Sequence, residues 1–348
     1  MSTMRTMKLS FLVLTYKRPD ELLACLDSLE RDGAREKAEV LVGLNDEPAG
    51  NEAVAGVLKE KHPWVGPVPL RRCGRGEARN RLAAAARGDV FYFLDDDTVV
   101  PPGFVDRAAS AFREHPEAAA IGGPNVGPPG ASAFPRAVDF LLRSPLGAGP
   151  MRVRHLREGA QRRAPSWAFT LSNMGVRRSA FESGFRFPAR AASAEETLFV
   201  HELERGGRCA LQAPALFVYH RRRSGWASFL RQTYSCGLGR AQITRTAPSS
   251  LHPATLAPLA ALAAAAALLR WSPAALAALA AAYAGLGLAE TARMAVRERD
   301  AAALYLPALF PLAHAAYAVG MAAGALAWPA SDAAFEPRLS WDARPADG

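Results

Sequence analysis

Hydrophobic positions in the first 250 residues fall into short continuous runs separated by polar or helix-periodic stretches. Leu9–Leu14 (LSFLVL) is such a run and predicts a strand buried on both faces of a parallel sheet. Pro19 then opens a helix whose Leu22, Leu23, Leu26 and Leu29 form one stripe. Val40–Leu44 is a second buried strand, ended by Asn45-Asp46-Glu47-Pro48. Residues 76–87 read as an Ala-rich helix, and Val90–Leu94 (VFYFL) as a third strand that runs into Asp95-Asp96-Asp97. This alternation predicts an α/β fold, an open, mostly parallel sheet flanked by helices. Ligands of such sheets sit beyond the carboxyl ends of the strands. Thr15-Tyr16, Asn45-Asp46 and Asp95–Asp97 all fall there. Residues 127–165, rich in Pro, Gly and Arg, read as a long mobile loop over the site. Ala215–Tyr219 reads as a further strand, followed by His220 and Arg221-Arg222-Arg223, three arginines suited to clamping substrate phosphates or meeting anionic lipid headgroups.

From about residue 252 the pattern changes to Ala and Leu. Three uncharged apolar segments follow, at 254–269, 273–289 and 301–328. Soluble Ala-rich helices would carry charged faces, and these segments carry none, so three membrane helices are expected. Arg293, Arg297 and Arg299 fall between the second and third segments, and the positive-inside rule puts that loop in the cytoplasm. Two spans return the chain to its starting side, so the α/β part is expected on the cytoplasmic face of the inner membrane. The predicted division is an α/β domain over 1–250, a membrane region over 251–330 and a polar tail over 331–348.

Net charge changes this picture little. The formal value of +9 suits a nucleic acid, an anionic membrane surface or a phosphorylated substrate. No recognition motif or interleaving of basic and aromatic residues points to nucleic acid. Cys25, Cys73, Cys209 and Cys236 have neither metal nor disulfide spacing, which fits a reducing compartment. Met1–Lys8 lacks the apolar core of a signal peptide. The strongest chemical feature is Asp95-Asp96-Asp97. Three adjacent carboxylates repel one another unless a cation compensates, and Mg²⁺ or Mn²⁺ with phosphate oxygens is the usual solution. The bland reading, a solvated acidic turn, does not account for its place after a buried strand.

Several segments resemble family 2 glycosyltransferases, which have the GT-A fold. Thr15-Tyr16-Lys17-Arg18 is similar to the family's opening after the first strand. Gly74-Arg75-Gly76-Glu77-Ala78-Arg79-Asn80 resembles its G-x-x-x-ARN segment, and Phe93–Asp97 its FLDxD metal motif. Ser172–Arg178 resembles its SN-x-x-x-RR segment. Ala194-Glu195-Glu196-Thr197 stands where the family has an acidic pair before a helix. The resemblance implies that Thr15, Tyr16, Arg18, Asp46, Arg79, Asn80, Asp95 and Asp96 bind a nucleotide-sugar donor. It implies that Asp97 and Asp95, with His220, hold the metal. Glu196 would be the general base, with Glu195 the alternative. Two positions depart from the family pattern. Asn45 replaces the first of two aspartates after the second strand, and Glu196 replaces an aspartate. Phe229–Ala241 and the His314, Tyr317, Gly320 spacing further resemble bacterial exopolysaccharide glycosyltransferases of the succinoglycan type.

The expected activity is therefore metal-dependent, inverting transfer from a nucleotide-diphosphate sugar to a membrane-associated saccharide, in cell-surface polysaccharide synthesis. The acceptor would be polyprenyl-linked. A polyprenyl-phosphate sugar synthase is the alternative within the fold. A basic non-enzymatic membrane or nucleic-acid-binding protein is the alternative outside it, and it leaves the strand-tip carboxylates unexplained.

Overall fold

The computed structural model describes residues 7–189 and 193–327. The predicted tail at 331–348 and the last position of the third apolar segment lie outside the described residues.

Eleven strands are found among them: β1 Leu9–Thr15, β2 Ala38–Leu44, β3 Gly66–Pro69, β4 Val90–Asp95, β5 Thr98–Val99, β6 Ala118–Gly122, β7 Asn125–Val126, β8 Arg162–Arg163, β9 Asn173–Arg177, β10 Cys209–Gln212 and β11 Val218–His220. The helices are α1 Pro19–Arg31, α2 Ala34–Lys37, α3 Pro48–Lys61, α4 Arg75–Ala85, α5 Phe104–Glu114, α6 Ala133–Arg143, α7 Pro145–Ala148, α8 Arg178–Glu182, α9 Glu195–Arg205, α10 Trp226–Thr246, α11 Ala257–Trp271, α12 Pro273–Glu298 and α13 Leu306–Ala327. The main sheet has the order β3-β2-β1-β4-β9-β6-β10-β8. It is parallel through β3, β2, β1 and β4, and β9 runs antiparallel between β4 and β6.

Both faces of this sheet are covered, which is why its strands read as unbroken apolar runs. Within β4, Tyr92 and Leu94 join one core with Phe11, Val13 and Phe104. Phe91 and Phe93, on the opposite face, join a second core with Phe181, Phe187 and Phe199. Each fully buried ring contributes roughly 2–3 kcal/mol. The Tyr92 hydroxyl donates to Asn173 Oδ1 at 2.8 Å, which satisfies two polar groups at the core's centre.

A second, small sheet with the order β5-β11-β7 lies past the end of β4. Here the structure corrects the sequence reading: His220 belongs to the strand, which spans Val218–His220 rather than Ala215–Tyr219. The region 127–165 is also more regular than a mobile loop. It contains α6, α7, a 3₁₀ segment at Gly149–His155 and β8, with Phe134, Val138 and Leu141 buried.

Three helical stretches are long and apolar enough to cross a membrane: Pro253–Trp271, Pro273–Glu298 and Ala301–Leu326. The second is longer than predicted, and Arg293 and Arg297 lie on its last turns rather than in a loop. α13 packs along α10 with backbone in near contact. A Cβ on Gly237 would collide with the Tyr317 carbonyl, and one on Gly320 with the Tyr234 carbonyl. His314 accepts or shares a hydrogen bond with the Tyr283 hydroxyl at 2.8 Å, which joins α12 to α13 and gives this intrahelical imidazole a packing role.

Candidate active site

The parallel register sets β1 and β4 level, pairing Leu14 with Asp95. Thr15 therefore lies beside the acidic turn, and its hydroxyl donates to Asp96 Oδ2 at 2.8 Å. Arg18, at the mouth of α1, places Nη1 3.0 Å from Asp97 Oδ2 and 3.4 Å from Asp96 Oδ1. Arg79 of α4 donates to Asp95 Oδ1 at 3.1 Å. From the small sheet, His220 pairs with Thr98, and the Arg221 amide donates to the Asp97 carbonyl. This register delivers His220 Nε2 to 3.1 Å from Asp97 Oδ1 and 3.8 Å from Asp95 Oδ2. The triplet thus divides: Asp96 turns back onto Thr15, and Asp95 and Asp97 flank the imidazole.

Electrostatics separates them further. Burial pushes the Asp96 carboxyl up to about 6, against the Thr15 hydrogen bond and with the Asp97 charge adding to it. Burial also opposes ionisation of Asp97, but His220 and Arg18 outweigh it and hold that carboxyl far below the usual range. Asp95 is likewise lowered against its burial, by the facing His220 and by Arg79. On His220, burial disfavours the charged ring, yet Asp97 and Asp95 lift it to about 9.

Asp95, Asp97 and His220 each offer a ligand atom, and these atoms lie within 4.8 Å of one another. Asp97 Oδ1 is buried without a hydrogen bond, so its approach to His220 is a charge contact off the hydrogen-bond direction. Two carboxylates and an imidazole of this kind fit a divalent cation.

The cluster opens into a cavity of about 400 Å³. Thr15, Tyr16, Arg18, Arg79, Asp95, Asp96, Asp97 and His220 all line it. Tyr16 is 40% exposed, and the cations of Lys17 and Arg72 each lie 5.2 Å from its ring centre. Asn45 also lines it, held by a two-way clasp with the Cys73 backbone at 3.0 Å each way. Asp46 does not line it. Its Oδ1 accepts from the Glu47 amide at 2.8 Å, and Asn51 clasps its backbone. Asn80, expected among the donor contacts, is spent elsewhere: it accepts from the Phe187 amide and donates to the Phe187 carbonyl.

Glu195 and Glu196 begin α9 and stand one layer behind the cavity wall. Glu195 Oε1 is 3.2 Å from Arg75 Nε and 3.6 Å from Arg79 Nη1, so Arg79 bridges it to Asp95. Glu196 Oε1 is 3.5 Å from Arg154 Nη1. Burial raises the Glu196 pKa, with Arg154 opposing and Glu195 adding to the rise.

Arg222, read with its neighbours as a phosphate or headgroup contact, has its guanidinium committed inward instead. It is buried and donates to Asp139 and Asn125. Sequence reading missed Arg154, Arg72 and Gln232, and took Arg223 only as one of three adjacent arginines. The last three line the cavity, and Arg154 holds Glu196 from a segment with no readable period.

A strand-tip acid cluster below a nucleotide-sized cavity, on a mostly parallel sheet with helices on both faces, defines a GT-A glycosyltransferase that uses a nucleotide-sugar donor. The glycosyl transferase family 2 pattern matches residues 10–185, just over half of the chain, and the chain belongs to that family. Among solved structures, the mannosyltransferase PcManGT from Pyrobaculum calidifontis, in complex with GDP-Man and Mn²⁺, is 19% identical with a TM-score of 0.56. The match covers 92% of this chain and 88% of that one, and shows the same fold. S. aureus TarS 1-349 in complex with UDP-GlcNAc is 16% identical, covering 67% of this chain and 66% of that one, at a TM-score of 0.46. No curated protein sequence matches.

Proposed function

We propose that the chain performs metal-dependent, inverting transfer from a nucleotide-diphosphate sugar to a membrane-associated, polyprenyl-linked saccharide, as in exopolysaccharide assembly. The observation that carries the reading is Asp95, Asp97 and His220 converging on one point of a cavity that the strand tips also form. In this reading the catalytic domain occupies residues 1–250, lies on the cytoplasmic face of the inner membrane, and is followed by a membrane region to about residue 330.

Tyr16, exposed at the rim, offers a face for the nucleoside base. Thr15 and Asn45 stand at the neighbouring strand tips. Arg79 and Arg18 supply fixed positive charge where the diphosphate would lie. Asp95, Asp97 and His220 would hold Mn²⁺ or Mg²⁺, which supplies neutralisation of the departing nucleotide diphosphate. The imidazole favours Mn²⁺ over Mg²⁺, which prefers an all-oxygen set. The mannosyltransferase complex makes a GDP-sugar with Mn²⁺ the first pair to screen. Glu196, with its raised pKa, would take the acceptor proton. Because it lies behind Arg154, that arginine must yield or remain as its partner when the acceptor enters.

Calorimetric titration of nucleotide sugars in Mn²⁺ tests the reading. One donor should bind only with metal, and Asp97→Asn should remove that dependence. Unchanged metal-dependent binding by Asp97→Asn would refute the assignment.

A further inference from the structure

A second cavity, of about 520 Å³, adjoins the first and shares Arg18, Asp97 and Arg223 with it. Its other walls are Pro128–Ser132 and Arg221–Ser224. We propose that it receives the phosphate headgroup of a membrane-embedded acceptor. The inference rests on the donor reading above and names the class of the second substrate.

Charge points to an anion. Four arginines line the cavity against the two carboxylates of Glu21 and Asp97. Arg222 is committed to Asp139, and Arg221 lies 3.4 Å from Glu21. Arg223 has no hydrogen bond or ion pair among the described residues and lines both cavities. The backbone points the same way. α6 starts after Ser132, whose hydroxyl accepts no capping hydrogen bond, and α10 after Gly225, which has no side chain to cap with; neither first turn holds an acid. Ser132, Ser224 and Ser228 bring both helix starts to the cavity wall. Two uncapped, positive helix ends beside an unpaired guanidinium suit phosphate oxygens.

Location selects a lipid as the source. α6 and α10 are the helices that pack against the junction of the last two apolar helices. Arg136 binds Asp300 there through Nε at 2.6 Å and Nη2 at 3.1 Å. Phe134 packs at a tilt on Trp226, ring centres 4.9 Å apart, and Trp226 is 6.3 Å from Tyr305. Trp226 and Tyr305 stay 36% and 38% exposed, the state expected of rings at a membrane–water boundary. An acyl or prenyl chain lying along the apolar helices would bring its phosphate to Arg223. The Asp97 wall then puts the acceptor's reactive end beside the donor.

The full chain in uncharged detergent is titrated with dodecyl phosphate and separately with inorganic phosphate, with tryptophan fluorescence as the readout. Ser132→Asp keeps a good N-cap residue while placing negative charge in the cavity, so it should fold normally. The wild type should bind dodecyl phosphate about tenfold or more tighter than inorganic phosphate, and Ser132→Asp and Arg223→Ala should each weaken it by about tenfold. Arg223→Lys should recover most of the loss. Equal affinity for the two phosphates, or equal affinity of wild type and Ser132→Asp for dodecyl phosphate, overturns the inference. A wild type that binds a nucleotide sugar with Mn²⁺ but no dodecyl phosphate overturns it and leaves the donor reading standing. A wild type that binds dodecyl phosphate but no nucleotide sugar does the reverse.

Discussion

Arg154→Met removes the cation that faces Glu196 while keeping much of its length. Both side chains are mostly buried, at 14% and 8% exposed, and 3.5 Å apart. At an effective dielectric of about 20, charges at that distance attract by about 5 kcal/mol. Removing one member of a buried pair costs about 3–5 kcal/mol. The lower end applies because Arg240 also acts on Glu196. Burial already raises the Glu196 pKa and Arg154 is the chief opposing influence, so the variant raises it further. A carboxyl with a raised folded-state pKa favours the folded protein most when protonated. The stability deficit should therefore be smallest below the unfolded pKa of about 4.3 and complete above the folded value. A general base must be ionised, so the acid limb of kcat/KM should move to higher pH, with the rates converging in alkali. The assays are kcat/KM across the acid limb and thermal melting at low and high pH. An acid limb that coincides with wild type, with a melting deficit independent of pH, would show that Arg154 does not act on the catalytic proton acceptor.

Three further outcomes follow from single contacts. Asn80→Ala strands the amide and carbonyl of Phe187 and should cost about 2–4 kcal/mol in thermal melting while leaving nucleotide affinity of the folded protein intact; weakened affinity would restore Asn80 as a donor contact. Gly76→Ala drives a Cβ into the Pro188 carbonyl, which is backbone and cannot yield, so α4 and Arg79 should shift, at a cost of roughly 1–3 kcal/mol and with loss of donor binding by calorimetry. His220→Ala should weaken Mn²⁺ binding by roughly tenfold or more in electron paramagnetic resonance titration; an unchanged affinity removes His220 from the ligand set.

The parts legible in the sequence share a physical origin. β1, β2 and β4 are buried on both faces, so each is a continuous apolar run, and each ends where polarity begins. The cavity wall at Thr15, Asn45 and Asp95 could therefore be found from the ends of runs alone. His220 was legible as a strand-end histidine, but its partners were not. They depend on a three-residue strand pairing with a two-residue strand, and strands that short carry no period. Arg154 and Arg222 were misjudged or missed for a related reason. Each sits in an arginine-rich stretch, and composition cannot say which guanidinium turns inward. Arg222 turns inward because Asp139 is presented by α6, a helix in a region whose Pro and Gly content reads as loop. Asp46 and Asn80 show the converse. Their place in a family motif is clear, yet one side chain closes its own turn and the other fastens α4 to Phe187. A residue inside a site motif can serve by holding the wall rather than by touching what the wall encloses. Nucleotide affinity and melting temperature, measured on the same variants, separate those two duties.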